Sequence, residues 1–358
     1  MPLDPMTAPR WGESQEPVRL AVDAMGGDHA PAHIVEGSLE AVRIFRGRIR
    51  PILVGDREEI EAELVRLGAT GSEVEVVHAA ERVEMNEGGA ESYRRKRDSS
   101  LNVATRLVRD GAAQGVFSAG NTGAMVAASL LNLGRIPGVS RPALATLVPT
   151  REPQHWVVML DVGAAADCKP VNLLHFAILG EVYARLFLGI ERPRVGLLNI
   201  GEESSKGSEL AQEAHPLLAA SGIHFIGNVE GKDILNGRAD VVVMDGFTGN
   251  VLLKFAESVW SWGVEAVRRE IGEHVLAKMG AFLLKPSLRR FKDRVDYSNH
   301  GGAPLLGVNG VAIVGHGRSS PKAVRNALRV AADLVTRKVI DEIREELIRV
   351  DGGRVASS

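Results

Sequence analysis

Val18-Arg19-Leu20-Ala21-Val22-Asp23, running straight into Ala24-Met25-Gly26-Gly27-Asp28, decides the fold class of this chain. An apolar run of strand length ends in an aspartate and paired glycines, and a helical pattern follows. Similar runs stand at 51–54, 74–78, 115–118, 156–161, 194–200, 224–226, 240–244 and 311–314, nearly all followed by glycine or a polar loop and then a helical pattern. Continuous rather than alternating apolar strands are buried on both faces, and helices between them make the sheet mostly parallel. The sequence thus predicts an α/β protein, a three-layer αβα sandwich.

No internal repeat or Pro/Gly/Ser-rich linker interrupts Val18 to Val350, which predicts a single α/β catalytic domain over 18–350. Residues 1–17 are polar and proline-rich, without the basic start and apolar run of a secretory signal, and read as a disordered extension. Residues 351–358 read as a disordered tail. From Val251 to Asp296 strand signals vanish, and a helical pattern broken only by glycines and Pro286 predicts a helical outgrowth.

Composition narrows the function classes. With 43 Lys+Arg against 45 Asp+Glu the 358-residue chain has a formal charge of -2, so it lacks the basic excess of a nucleic-acid binder. The single cysteine, Cys168, excludes an intrachain disulfide and a cysteine-based zinc cluster, and a cytoplasmic location is the simple reading. Apolar stretches are interrupted, as by Asp161 and Asn132, short of the roughly 18–20 residues a bilayer span needs, so any membrane contact is expected to be peripheral. His29 and His33 lack acidic or cysteine partners at zinc-like spacing, and no metal site is expected.

In open α/β sheets ligands bind where strand carboxyl ends lead into helix N-termini. That rule selects 23–28, 118–123, 161–167, 199–207 and 245–250, which combine glycine with Ser, Thr, Asn or Lys. Glycine lets backbone amides approach an anion, and the side chains bind oxyanions. The loop 201–207 is no nucleotide P-loop, because Lys206 precedes Gly207 instead of following a glycine. No G-x-G-x-x-G follows a strand either. His316, after the strand 311–314 and before Pro321, falls on the same sheet edge. Arg94-Arg95-Lys96-Arg97 is a run of four cations suited to an acidic protein partner.

As a set, Ala21–Asp28, Arg97-Asp98-Ser99-Ser100, Ser118–Ala124, Leu198–Gly207, Gly227–Gly231, Asp233–Gly237, Asp245–Val251 and Gly301–Gly307 resemble the phosphate acyltransferases of bacterial phospholipid synthesis, the PlsX type. The resemblance runs from about Val18 to Val330. It implies a homodimer with a fold similar to phosphotransacetylase and the isocitrate and isopropylmalate dehydrogenases, using no cofactor. It implies transfer of a long-chain acyl group from acyl carrier protein to inorganic phosphate, and an acyl phosphate that a membrane acyltransferase passes to glycerol 3-phosphate. Two positions depart from the family: Ala165 stands where asparagine is common, and Arg318 where small residues are usual.

Position and resemblance together assign roles. Lys206 with Ser204 and Ser205 is expected to bind phosphate, aided by Asn121, Thr122 and Gly123. Asn250 and His316 are expected to hydrogen-bond the developing oxyanion or protonate the departing sulfur. Asp23, Asp161 and Asp245 orient loop amides, and Arg94 to Arg97 hold carrier protein. Phe282, Leu283, Leu288 and Phe291 lie on an apolar stripe beside cations, since 278–294 holds six Lys or Arg and one acidic residue, Asp293. That pattern predicts an in-plane helix on an anionic membrane, the inner face of the plasma membrane, with a dimer contact as the competing use. A short-chain phosphotransacetylase using coenzyme A and a non-catalytic carrier-protein-binding regulator are the alternative functions.

Overall fold

The computed structural model describes residues 16–69, 73–273, 279–288 and 301–355. Most of the expected N-terminal extension, together with Phe291, lies outside them. The chain begins β1 (Val18–Asp23), α1 (Ala32–Ile44), β2 (Ile49–Gly55), α2 (Arg57–Arg66), β3 (Glu75–His78), α3 (Gly89–Arg95), α4 (Ser100–Arg109), β4 (Gly115–Ser118) and α5 (Thr122–Asn132). Next come β5 (Ala143–Leu144), β6 (Thr146–Pro149), β7 (Trp156–Leu160), α6 (Pro170–Tyr183), β8 (Val195–Leu198), α7 (Glu209–Ala219), β9 (Phe225–Val229), α8 (Gly231–Asn236), β10 (Val241–Val243) and α9 (Gly246–Glu273). It closes with β11 (Ala303–Leu306), β12 (Val311–Val314), α10 (Pro321–Thr336) and α11 (Val339–Val355). The last helix runs beyond the expected domain end at Val350.

The strands form two sheets, ordered β3-β2-β1-β4-β12-β11-β5 and β6-β7-β10-β8-β9. Pairing is parallel except where β11 meets β12 and β5, and where β6 meets β7. The two-residue period of a strand then divides the core. Leu20, Val22, Phe117, Val158, Leu160, Val241 and Val243 enter one apolar cluster, whereas Ala21, Val116, Val157, Met159 and Val242 enter a second. Both clusters draw on both sheets, so helices cover each face of what is in effect one strand layer. The three-layer α/β architecture follows directly.

The sheets join at one residue. Leu144 pairs with Leu305 in the first sheet and Thr146 with Met159 in the second, leaving only Ala145 between them. Register places this seam at the carboxyl end of β7 and on the side of the first sheet where β12 ends. The loop-bearing edges of both sheets therefore meet there.

One helix corrects the reading of apolar stretches. Pro170–Leu188 is long and apolar enough to cross a membrane by composition, yet 78% of it is buried within the protein. It is a core helix, with Leu173, Phe176, Ala177 and Ile178 packed under β7 and β10. In contrast, α9 runs 28 residues through Gly249, Gly263 and Gly272 without a break, since glycine weakens a helix but does not end it. Its Phe247, Val251, Phe255, Val259 and Trp262 are exposed.

Candidate active site

Parallel pairing points β1, β2, β3, β4 and β12 the same way in the first sheet and β7, β8, β9 and β10 the same way in the second, and β1, β4 and β12 are direct neighbours. Their following loops are bonded into one unit. The Ser118 hydroxyl donates to Asp23 Oδ2 at 2.6 Å, and its Oγ accepts the Gly120 amide at 3.1 Å. The Gly315 amide donates to the Ser118 carbonyl at 2.7 Å, and the Asp28 amide to the Gly317 carbonyl at 2.8 Å. Burial raises the Asp23 carboxyl above its ordinary range, partly offset by bonds from Ser100, Ser118 and nearby amides.

Asn121, expected to bind phosphate, is otherwise engaged. Its Oδ1 caps α5 by accepting the Ala124 amide at 2.9 Å, while Nδ2 donates to the carbonyls of Met85 and Glu87 at 2.8 and 2.9 Å. The neighbours Thr122 and Gly123 are exposed at the head of α5. At β12, His316 Nδ1 accepts the Arg318 amide at 3.1 Å, which puts the proton of the neutral ring on Nε2 and makes that nitrogen a donor. Arg318 is 80% exposed with Nε 3.8 Å from Asp28 Oδ2.

In the second sheet β7, β10 and β8 are neighbours, and Asp161 organises the first of their loops. Its buried carboxylate accepts the amides of Leu144, Gly163, Ala164 and Ala165 at 2.6 to 3.0 Å. Burial raises its pKa and these amides oppose the rise. A carboxylate filled by amides holds a loop and has little capacity left for a base. Ala165, which stands where asparagine is common in the resembling family, works through its backbone: its N–H donates to Asp161 Oδ2 at 2.6 Å, and its carbonyl accepts the Gly246 amide at 2.9 Å. Asp245 caps α9 by accepting the Thr248 amide and hydroxyl at 2.9 and 2.7 Å.

Asn250 stands one turn into α9, exposed beside the Gly163 loop. Gly163 has φ +140°, and a Cβ there would lie 3.6 Å from the Asn250 side chain. A Cβ on Gly249 would run into the Asp161 carbonyl oxygen, so glycine lets the helix start against the loop.

The β8 loop carries Ser204, Ser205 and Lys206, all exposed. Lys206 has no ion pair among the described residues, and three amide side chains brace its backbone. Asn199 Nδ2 donates to the Lys206 carbonyl at 3.0 Å, Asn228 Nδ2 to that of Glu203 at 2.8 Å, and Gln212 Nε2 to those of Ser205 and Gly207 at 3.0 and 3.2 Å. Sequence reasoning missed these braces, although Asn199 and Asn228 fall inside the motifs that carry the resemblance. With β10 between β7 and β8, the Lys206 loop stands about 10 Å from the Asp161 loop at ordinary strand spacing.

Cys168 is half-buried, and burial pushes its thiol up to about 11, far from a nucleophilic thiolate. The basic run is partly neutralised: Arg95 pairs with Glu91 at 2.9 Å and Lys96 with Glu87 at 2.6 Å, while Arg94 and Arg97 have no ion pair among the described residues. No group of three metal-binding side chains occurs among the described residues.

Residues 18–342 match the family model described as fatty acid synthesis protein. The phosphate acyltransferase of Pelotomaculum thermopropionicum is 48% identical over 334 residues, 93% of this chain and 96% of that one. That of Heliobacterium modesticaldum is 50% identical over 331 residues, 92% and 98% of the two chains. Among solved structures, a phosphotransacetylase from Streptococcus pyogenes superposes with a TM-score of 0.63 at 17% identity, covering 89% of this chain and 94% of its own. A branched-chain phosphotransacylase from Enterococcus faecalis gives 0.56 at 16%, covering 89% and 99%. These two similarities are of fold. Near one-half identity over almost the whole length, across both loop-bearing edges, makes this chain a member of the phosphate acyltransferase family.

Proposed function

We propose that the protein transfers a long-chain fatty acyl group from acyl carrier protein to inorganic phosphate, releasing an acyl phosphate for phospholipid synthesis. The carrying observation is the braced loop that presents Lys206, without an ion pair among the described residues, beside the α9 head that presents Asn250. A phosphate oxygen attacks the thioester carbonyl, the C–S bond breaks, and the carrier thiolate leaves and takes up a proton. Phosphate is already an anionic nucleophile and a thiolate a tolerable leaving group, so no acyl-enzyme is required. The high thiol pKa of Cys168 fits that economy. Lys206, Ser204 and Ser205 hold phosphate, while the Asn250 amide and His316 Nε2–H face the carbonyl oxygen as it gains charge.

Carrier protein, an acidic partner, docks on α3. This helix packs along α5, with its Gly89 end against Gly123 and its Tyr93 hydroxyl donating to Asn132 Oδ1 at 3.1 Å, so the helix that carries the basic run starts at the head of α5. The enzyme works as a homodimer at the inner face of the plasma membrane, where a membrane acyltransferase takes the acyl phosphate to glycerol 3-phosphate. Support for the membrane comes from 279–288, helical and carrying exposed Phe282, Leu283 and Leu288. The deciding assay follows free carrier-protein thiol from palmitoyl carrier protein with and without inorganic phosphate. Phosphate-dependent release with formation of acyl phosphate supports the reading, and release indifferent to phosphate overturns it.

A further inference from the structure

We propose that Arg141 and Lys169 form a second phosphate-binding locus, beside the Asp161 loop and separate from Lys206. The two residues are brought together by a hydrogen-bonded bridge. Asn172 Nδ2 donates to Ser140 Oγ at 2.5 Å, and Asn172 Oδ1 accepts the Lys169 amide at 2.6 Å. One buried amide side chain thus ties the residue before Arg141 to Lys169 itself. The bridge is locked from both sides: Ser140 Oγ and its amide lie 2.8 and 3.2 Å from His175 Nδ1, and Arg135 Nη1 donates to the Ser140 carbonyl at 2.5 Å.

Downstream of Arg141, Leu144 donates its amide to Asp161 at 2.8 Å, and upstream of Lys169, Cys168 donates its thiol to the Ala165 carbonyl at 3.4 Å. Both cations therefore flank the loop that faces Asn250. The Arg141 charge is felt at Cys168, where it opposes the larger effect of burial. Both side chains are exposed, and neither has an ion pair among the described residues. Two cations on a rigid bridge, unpaired and adjacent to a reaction centre, suit a phosphate group.

This inference rests on the proposed transfer reaction, which brings two phosphate groups to the site: inorganic phosphate and the phosphodiester at the root of the carrier's pantetheine arm. The test is steady-state kinetics of Arg141→Gln, Lys169→Gln and the double variant, with phosphate varied at saturating palmitoyl carrier protein and the reverse. A rise on the order of tenfold or more in the KM of one substrate supports the locus and identifies its source, phosphate or phosphodiester. Arg141→Lys, which keeps the charge, should recover much of the loss. Unchanged KM for both substrates in the folded double variant, or equal loss in Arg141→Lys and Arg141→Gln, overturns it. Wild-type enzyme without phosphate-dependent release would instead defeat the transfer reaction itself.

Discussion

Lys206 sits on the loop after β8 and Asn250 in the first turns of the helix after the adjacent β10, yet their substitutions should read out differently. Lys206→Met removes a charge-assisted contact to a ground-state substrate, worth about 1.5–3 kcal/mol, so the KM for phosphate should rise roughly 10- to 100-fold. Asn250→Ala removes a donor to a charge that exists only as the carbonyl is attacked, so kcat should fall about 10²-fold with little change in KM. Titrating phosphate against both variants separates the two roles, and an exchange of the patterns would swap the assignments. At this scale the sequence was readable where chemistry depends on residue type and local position: a lysine in a glycine loop, an aspartate closing a strand. It was silent on occupancy. Asn121 looks as free for a ligand as Asn250 does, but three backbone groups consume its amide. The bracing amides Asn199, Asn228 and Gln212 gather only once β8, β9 and α7 have formed.

At the amino ends of β7, β8 and β10, Asp240 accepts from His155 Nε2 at 2.8 Å, and from the Arg194 amide and guanidinium at 2.7 to 3.0 Å. Burial alone would raise its carboxyl, but these donors outweigh it and the net pKa is lowered. A lowered carboxyl stabilises the fold above its unfolded value of about 3.8 and loses that contribution as pH falls through the folded value. Asp240→Asn should therefore cost about 1–3 kcal/mol in urea unfolding at pH 7, with the gap to wild type narrowing below pH 4. A gap constant with pH would count against charge as its source. In the basic run at the end of α3, reversing Arg94 and Arg97, which have no ion pair among the described residues, should raise the KM for carrier protein several-fold at low salt and hardly at all at high salt. Reversing Arg95 and Lys96 also disrupts their pairs with Glu91 and Glu87, so equal, salt-independent effects would reduce the run to a solvated surface. Nine strands were legible as apolar runs. Ala143–Leu144 is too short to show a period, and Pro149 and Pro304 disguise β6 and β11, since proline is tolerated only where its missing N–H is not needed.

For the whole molecule, the exposed Phe282 and Leu283 give the membrane proposal its test. Phe282→Glu with Leu283→Glu should abolish co-sedimentation with anionic vesicles while leaving transfer between soluble substrates within about twofold of wild type. Equal binding by both proteins would remove the membrane from the account. The α/β class was legible from strand continuity, because burial on both faces is written into each run. The division into two sheets was not, because it depends on Ala145 alone. That residue is a one-link splice, itself buried in the core that both sheets share. Joined by one residue and packed into the same two clusters, the sheets hold a fixed relation to each other. The Asp161 loop is bonded across the seam to Leu144, and the Lys206 loop stands two strands farther out on the second sheet. The gap between the two loops is thereby written into strand spacing, and a substrate that uses both must span the width of two strands.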